Sequence, residues 1–217
     1  AGNVMYAISN LTKQSKNSDG EYSLLSIPYA QYVKGDFDFS RNIVIDDKNA
    51  IAYHVGVGIA VPYGNSKSIP YIKQYFSGGA NSVRGWSVRE LGPGSFPGDG
   101  NYLNQSGDIK FDASIEYRSK LFWLLQGALF VDAGNIWTIK EYENQPGGQF
   151  DISKFYKQIA FAYGLGIRID LDYLVFRIDG GMKALNPAYS SGKQRYPILN
   201  PNFKRDFTFH LAVGYPF

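Results

Sequence analysis

Residues 159–171 read IAFAYGLGIRIDL, and this stretch decides the fold class. Every second side chain, from Ile159 to Leu171, is large and apolar, whereas the positions between them carry Ala, Gly, Arg and Asp. A period of two places the apolar side chains on one face of a β-strand. The stretch is longer than the mean globular strand of about 5–6 residues, and a tilted strand needs about 9–11 residues to cross a bilayer. It therefore favours a membrane-spanning strand.

The same alternation recurs along most of the chain. It is clear at 50–61, 108–118 and 206–217, and residues 31–45 show it with an exception at Arg41. No amphipathic helix of useful length is visible, and no apolar run reaches the length of a transmembrane helix. Residues 2–10 are expected to end one further strand. The sequence predicts an all-β, antiparallel protein with strands at 31–45, 50–61, 107–119, 122–137, 157–171, 173–184 and 206–217.

The composition excludes several classes of function. The chain has 217 residues, no Cys and a net charge of +3, so disulfides and thiol chemistry are excluded and binding to nucleic acid is not indicated. No Gly-x-Ser-x-Gly element and no nucleophile–base pair is present, so we expect no catalytic residue, no enzyme activity and no cofactor. His54 and His210 are each expected to face the interior singly, so no metal site is predicted.

The connections between the predicted strands separate a membrane barrel from a soluble β-sandwich, which also alternates. Short links near 46–49, 120–121 and 172 take turns with long links at 62–106, 138–156 and 185–205. Transmembrane barrels have short periplasmic turns and long outer loops, with aromatic residues at both membrane interfaces. The pattern favours an antiparallel transmembrane β-barrel in a bacterial outer membrane, with its C-terminus in the periplasm.

Charged residues predict which face of each strand points inward. An Arg on the lipid side costs about 2–4 kcal/mol at the midplane, so Arg168 and Arg177 are expected to face the lumen. Small inward residues such as Gly164 and Gly166 leave space in the lumen for another part of the molecule.

An open half-barrel exposes two unpaired edges to lipid, which is not tolerated. Either the chain closes on itself, or another piece completes the wall.

The long loop 62–106 contains FSGGANSVRGW at 76–86, followed by LGPG at 91–94. This stretch resembles the sixth outer loop of the BamA/TamA family of outer-membrane assembly barrels, also called the bacterial surface antigen family. The similarity continues through ASIEYR at 113–118, FVDAGNIW at 130–137 and GLGIR at 164–168. The positions that match the family's loop motif are Gly78, Gly79, Val83, Arg84, Gly85 and Trp86.

The resemblance covers residues 31–217 and implies the C-terminal portion of a sixteen-stranded barrel. The family's early strands and periplasmic POTRA domains are not in this sequence, so we expect residues 1–217 to be a C-terminal fragment or one half of a split barrel. The last strand places Gly214 three residues before Phe217, as in BamA-like proteins. Gly214 would weaken or kink this last strand, which the resemblance makes one edge of a lateral gate. Alternatively, Gly214 simply ends the strand.

The resemblance also implies that the loop folds into the lumen, where Arg84 pairs with the carboxylates of Glu116 and Asp132. The alternation agrees independently, because both carboxylates fall on the inward face. A guanidinium fork suits carboxylates, and a desolvated carboxylate needs such a partner. This pairing either tethers the loop or acts as a switch.

The function implied is insertion of client β-barrel proteins through a lateral gate. The expected partners are outer-membrane lipid including lipopolysaccharide, client outer-membrane proteins, periplasmic or lipoprotein accessory subunits, and the N-terminal half of the barrel. Two alternatives stay open: a two-partner-secretion transporter, which shares the Arg-Gly-aromatic loop, and the barrel of a patatin-type lipase fusion. A passive pore is a weaker alternative, because the inserted loop would obstruct flow.

Overall fold

A computed structural model describes residues 15–16, 22–24, 27–171 and 173–217. The strand expected at 2–10 lies outside these residues. In the described part of the chain, no helix is long and apolar enough to span a membrane. The regular secondary structure is almost entirely β, as the alternation predicts.

Among the described residues, seven long strands form one antiparallel sheet, in which each strand pairs with its neighbours in sequence. Three short strands, β1 (Ser15–Lys16), β2 (Tyr22–Leu24) and β3 (Ile27–Pro28), form a separate small sheet. A single helical turn, α1 (Phe203–Asp206), precedes the last strand. The long strands are β4 (Tyr32–Val44), β5 (Asn49–Pro62), β6 (Ile109–Phe122), β7 (Leu125–Trp137), β8 (Ala160–Asp170), β9 (Val175–Leu185) and β10 (Phe207–Val213).

Short and long connections take turns along this sheet, as predicted. The β4–β5, β6–β7 and β8–β9 pairs are joined by short links at one end of the sheet. The connections 63–108, 138–159 and 186–206 are long and lie at the other end. The sheet is therefore a simple meander, whose strands are added one beside the next.

Several predicted strand ends were wrong, because side-chain alternation does not reveal where the backbone turns. Phe122 ends β6, and Trp123 lies in the turn with a φ of +51°, so neither residue opens the next strand. The last strand was predicted to reach Phe217, but β10 stops at Val213 and Gly214 follows with a φ of +86°. That left-handed conformation does not fit an extended strand.

The sheet has a polar buried face and an apolar exposed face, the reverse of a soluble protein. On the outward face, Leu129 and Val131 are 52% and 53% exposed. On the inward face, Glu116 and Asp132 are 0% exposed. A wall whose apolar side chains face lipid and whose polar side chains face the lumen has this arrangement.

The loop 63–108 covers the inward face, so the interior of the molecule is a contact between loop and wall. One apolar cluster joins Val83, Trp86 and Leu91 of the loop to Ala160 and Ala162 of β8. Close approach of the loop requires small residues on the wall. A Cβ on Gly134 would lie 3.0 Å from a methyl group of Val83, so the chain leaves this position without a side chain.

Candidate functional site

The glycine-rich part of the loop forms a tight turn that presents residues 83–86 to the wall. Gly78 and Gly79 have φ values of +92° and +95°, which L-residues with side chains rarely adopt. The amide of Gly79 donates to the carbonyl oxygen of Trp86 at 2.8 Å and closes the turn. The two glycines of the motif therefore shape the backbone rather than touch a ligand.

The loop is also anchored upstream of the motif. Tyr75 forms a β-bridge with Gly107, and its hydroxyl donates to Oδ1 of Asp36 at 2.7 Å. Burial raises the pKa of Tyr75, and the hydrogen bond to the Asp36 carboxylate raises it further. The bridge thus places Tyr75 beside the C-terminal end of the loop, and the hydroxyl ties it to β4.

Arg84 reaches two carboxylates of the wall at once. Its Nε and Nη2 donate to Oδ2 and Oδ1 of Asp132, each at 2.8 Å, and its backbone amide donates to Oδ2 at 3.0 Å. Nη1 donates to Oε2 of Glu116 at 2.6 Å. The guanidinium also lies over the Phe130 ring, 3.5 Å from its centroid. These contacts form a bidentate pair, a second ion pair and a cation–π contact on one side chain.

Arg84 belongs to a larger buried ionic cluster. Glu116 also contacts Arg168 at 3.0 Å and Arg118 at 2.8 Å. Asp179 of β9 lies 2.5 Å from Nη1 of Arg168 and 3.7 Å from Nη1 of Arg84. The carboxylates of Glu116 and Asp179 therefore bridge several guanidinium groups, and the cluster spans four neighbouring strands. We call it the lumen cluster; its members are Arg84, Glu116, Arg118, Asp132, Arg168, Arg177 and Asp179.

The charges of the lumen cluster nearly balance, with four guanidinium groups against three carboxylates. Burial alone lowers the pKa of Arg84, but hydrogen bonds and the charges of Asp132 and Glu116 outweigh it and raise that pKa. The Nε of Arg177 lies 3.2 Å from Oδ2 of Asp179 without the alignment of a hydrogen bond. Such a cluster is stable while complete, and removal of one member leaves a buried charge without its partner.

The other motif residues pack beside Arg84. A Cβ on Gly85 would lie 2.8 Å from the Cβ of Ala162, so only glycine lets the backbone come this close. Val83 and Trp86 are buried in the apolar cluster, and the ammonium of Lys183 lies 5.3 Å from the Trp86 ring centroid. Arg84 therefore enters the lumen cluster between two apolar anchors.

The motif also touches the last strand. The hydroxyl of Thr208 in β10 donates to the carbonyl oxygen of Gly85 at 2.9 Å. Nε2 of His210 lies 2.9 Å from the carbonyl oxygen of Arg84. Sequence reasoning missed these contacts, as it missed Asp179 and Arg118. The available signal was the alternation itself, since Asp179 has the same inward parity as Arg177.

A model of the Omp85 superfamily domain matches residues 18–217. The chain belongs to the Omp85 superfamily. Outer membrane protein assembly factor BamA of Neisseria meningitidis is 35% identical over 97 residues, which cover 41% of this chain and 12% of that protein. The sorting and assembly machinery component 50 homologue of Mus musculus is 25% identical over 166 residues, covering 69% and 34% respectively.

A solved structure shares the fold of this Omp85 chain. The crystal structure of BamA from Haemophilus ducreyi lacking POTRA domains 1–3 aligns with a TM-score of 0.56 and 18% identity. It covers 85% of this chain and 35% of that one. The predicted resemblance to BamA-type proteins is confirmed, and so is the all-β antiparallel fold. The chain spans 12% and 34% of the lengths of the two relatives, and barrel closure with sixteen strands stays a prediction.

The residues after β10 turn onto the inward face of this Omp85 wall. The Phe217 ring stacks on His54 of β5 with centroids 5.4 Å apart, and the Tyr215 ring lies 4.4 Å from the guanidinium carbon of Arg118. His54 was expected to stand alone, but its Nε2 lies 2.8 Å from Oδ2 of Asp38. Alternation along one strand cannot reveal a partner on the next, because that depends on register.

Proposed function

We propose that this Omp85 chain forms the gate side of an outer-membrane assembly factor that inserts client β-barrel proteins. The observation that carries the proposal is the pair of contacts from Thr208 and His210 to the backbone of the Arg84 motif. Through them, the motif by which the family resemblance is recognised holds the strand at the edge of the sheet. We call this pair of contacts the latch.

The edge of β10 is suited to receive a client strand. Its register with β9 runs from Phe207↔Met182 to Val213↔Phe176, and among the described residues its other edge has no strand partner. A free edge offers main-chain N–H and C=O groups to which an extended segment adds by β-augmentation. Gly214 ends the pairing, so the strand presents a short edge.

The lumen cluster acts as a tether in this proposal. Arg84 fixes the loop to β6 and β7 through Glu116 and Asp132, and the latch extends this support to β10. The edge strand is then held from the lumen as well as from β9. Opening of the gate requires the latch to break while the lumen cluster stays intact.

The remaining assignments follow from this orientation. β10 ends at the side of the short links, so we place its C-terminal end in the periplasm, where accessory subunits would meet the protein. The edge of β4 requires further strands, which we assign to the N-terminal part of the barrel. Client outer-membrane proteins and the surrounding lipid are the other partners.

The latch is tested in full-length protein reconstituted into liposomes, with ion leakage and client insertion as readouts. Thr208→Val removes the donor and keeps the shape, whereas Thr208→Ser keeps the donor and serves as the control. A hydrogen bond contributes about 0.5–1.5 kcal/mol, so we expect the open population and the leakage to rise about 2–12-fold in Thr208→Val.

Two results would contradict the proposal. Equal leakage of Thr208→Val and Thr208→Ser would show that the latch does not hold the gate. A folded, reconstituted wild-type protein that fails to make a client barrel protease-resistant would contradict the assembly function itself.

A further inference from the structure

The outward face of the wall carries a groove that the function above does not use. Two adjoining cavities of about 550 and 640 Å³ lie on β6–β10. Because the two share residues, they form one continuous groove. The shared residues are Tyr117, Leu129, Leu165, Gly180 and Phe207.

Two glycines form the floor of this groove. Gly127 and Gly180 have the outward parity of Leu129 and Ile178. The Phe207 ring lies over Gly180, with its Cε2 3.0 Å from the position of a Cβ, whereas Gly127 leaves a gap in an otherwise apolar surface. A Cβ on Gly127 would meet nothing closer than Leu121 Cδ1 at 3.5 Å, so the gap there is not required by packing. The groove extends along β7 from Gly127 to Val131, which lie four residues apart, or about 13 Å at the rise of a strand.

One end of the groove reaches a positively charged segment. Phe203 of α1 lines the groove and packs on Phe207, with ring centroids 5.1 Å apart. The next residue, Lys204, is exposed, whereas Arg205 is paired with Asp206. Residues 186–206 contain four basic residues and one acidic residue. The apolar groove thus ends at the α1 turn, which also carries the exposed Lys204.

We propose that this groove binds one acyl chain of an anionic lipid, with the lipid phosphate against Lys204. An aliphatic chain matches the apolar lining and fills the space above Gly127, beside the Phe207 ring. The ammonium of Lys204 provides the charge complement at the end nearest the long loops. The site does not depend on client insertion, only on the outward face meeting lipid.

The test uses full-length protein in vesicles of phosphatidylethanolamine with phosphatidylglycerol that carries a photoreactive acyl chain. Mass spectrometry then locates the labelled residues. We expect label on Leu129 and Leu165 above that on Val57, an outward residue outside the groove. Unlabelled phosphatidylglycerol should compete with label in the groove and leave that on Val57 unchanged.

Gly127→Leu fills the groove, and Gly35→Leu is the matched control because nothing lies within 4 Å of a Cβ on Gly35. Displacement of even one buried methylene weakens binding about fourfold, so we expect at least that loss of groove label in Gly127→Leu. Lys204→Glu should lower labelling by phosphatidylglycerol and spare labelling by a neutral photoreactive diacylglycerol, which has no phosphate.

Even labelling of the whole outward face would overturn the proposal. The absence of saturable competition in the wild-type protein would also overturn it, and this measurement needs no variant to fold. Preferential labelling of the groove by the neutral lipid, unaffected by Lys204→Glu, would refute the phosphate contact.

Discussion

Arg84 is the single residue on which the inserted loop depends most. Its guanidinium and backbone amide give Asp132 three hydrogen bonds, and its Nη1 gives Glu116 a fourth. Glu116 has two further arginines at hand, Arg118 and Arg168. Asp132 therefore suffers most when Arg84 is removed, because a buried carboxylate loses a bidentate partner.

We predict that Arg84→Ala lowers the stability of the folded barrel by about 3–5 kcal/mol, the usual cost of a broken buried ion pair. The measurement is the urea midpoint of the heat-modifiable form of the full-length protein. Arg84→Lys should have a urea midpoint between those of the wild-type protein and Arg84→Ala, because one ammonium cannot satisfy both carboxylates. Asp132→Asn in the Arg84→Ala background should recover part of the loss. An unchanged midpoint in Arg84→Ala would show that the pair contributes nothing.

At this scale, the resemblance to the BamA/TamA family, with which the alternation agrees, was enough to propose Arg84, Glu116 and Asp132. The rest of the lumen cluster depends on the register between strands, which no single strand encodes. Arg168 faces Arg177 across β8 and β9, and this like-charge pair is acceptable only because Asp179 and Glu116 lie between neighbouring guanidiniums. Sequence parity predicted that both arginines face inward, but it could not predict their partners.

At the scale of elements, the seven long strands were predicted correctly in number and order, while their ends and the short strands β1–β3 were not. Alternation continues past the true end of β10 in residues 214–217 and overestimates its length, whereas β5 and β6 are longer than predicted. The ends are set by backbone conformation at Trp123 and Gly214 and by the helical turn α1. Short-range capping also matters, since the Asn202 side chain accepts a hydrogen bond from the amide of Lys204.

Asp206 gives the α1 turn a pH dependence. Burial raises the pKa of this carboxyl, but hydrogen bonds from Arg205 and from the Asn202 amide outweigh burial and lower the pKa below its usual 3.8. A carboxyl whose pKa is lower in the folded than in the unfolded state stabilises the fold at pH values above the unfolded pKa. This stabilisation is lost as the pH falls through the folded pKa. We predict that Asp206→Asn makes residues 186–206 more sensitive to protease at pH 7, and that the wild-type advantage disappears on acidification. The measurement is the rate at which protease digests the protein in intact vesicles at pH 7 and at acidic pH. A difference that grows at low pH would contradict the sign.

The inserted loop can be locked in place to distinguish a tether from a switch. Ser82 Oγ lies 3.3 Å from Oδ1 of Asp112 on β6, and the chain has no native cysteine. We predict that a double variant, Ser82→Cys with Asp112→Cys, inserts clients at the same rate when a short reducible crosslinker joins the two cysteines as after reduction. The two single variants, treated with the same reagent, are the controls. Loss of insertion on crosslinking and recovery on reduction would show that the loop moves during each cycle.

At the scale of the whole molecule, the fold is an inside-out sheet with one edge at β10 and the other at β4. The lumen cluster replaces an apolar core, and the lipid-facing side chains replace a soluble surface. This arrangement was predictable from alternation and from the order of short and long links. Docking of the loop through Arg84 was predicted only from the family resemblance, and the latch was not predicted, because it depends on contacts between residues such as Arg84 and His210 that are 126 positions apart.

Cysteine crosslinking tests the claim that the edge of β10 receives a client strand. Single cysteines at Thr208 through Val213 in full-length protein are tested against single cysteines in the last strand of a stalled client barrel. Cysteines at Phe176 through Gly181 of β9, a strand paired on both sides, are the control. We predict crosslinks to β10 in one antiparallel register, so that a step forward on β10 is a step backward on the client, and no crosslinks to β9. Crosslinks absent from β10, or spread equally over β9 and β10, would contradict the claim.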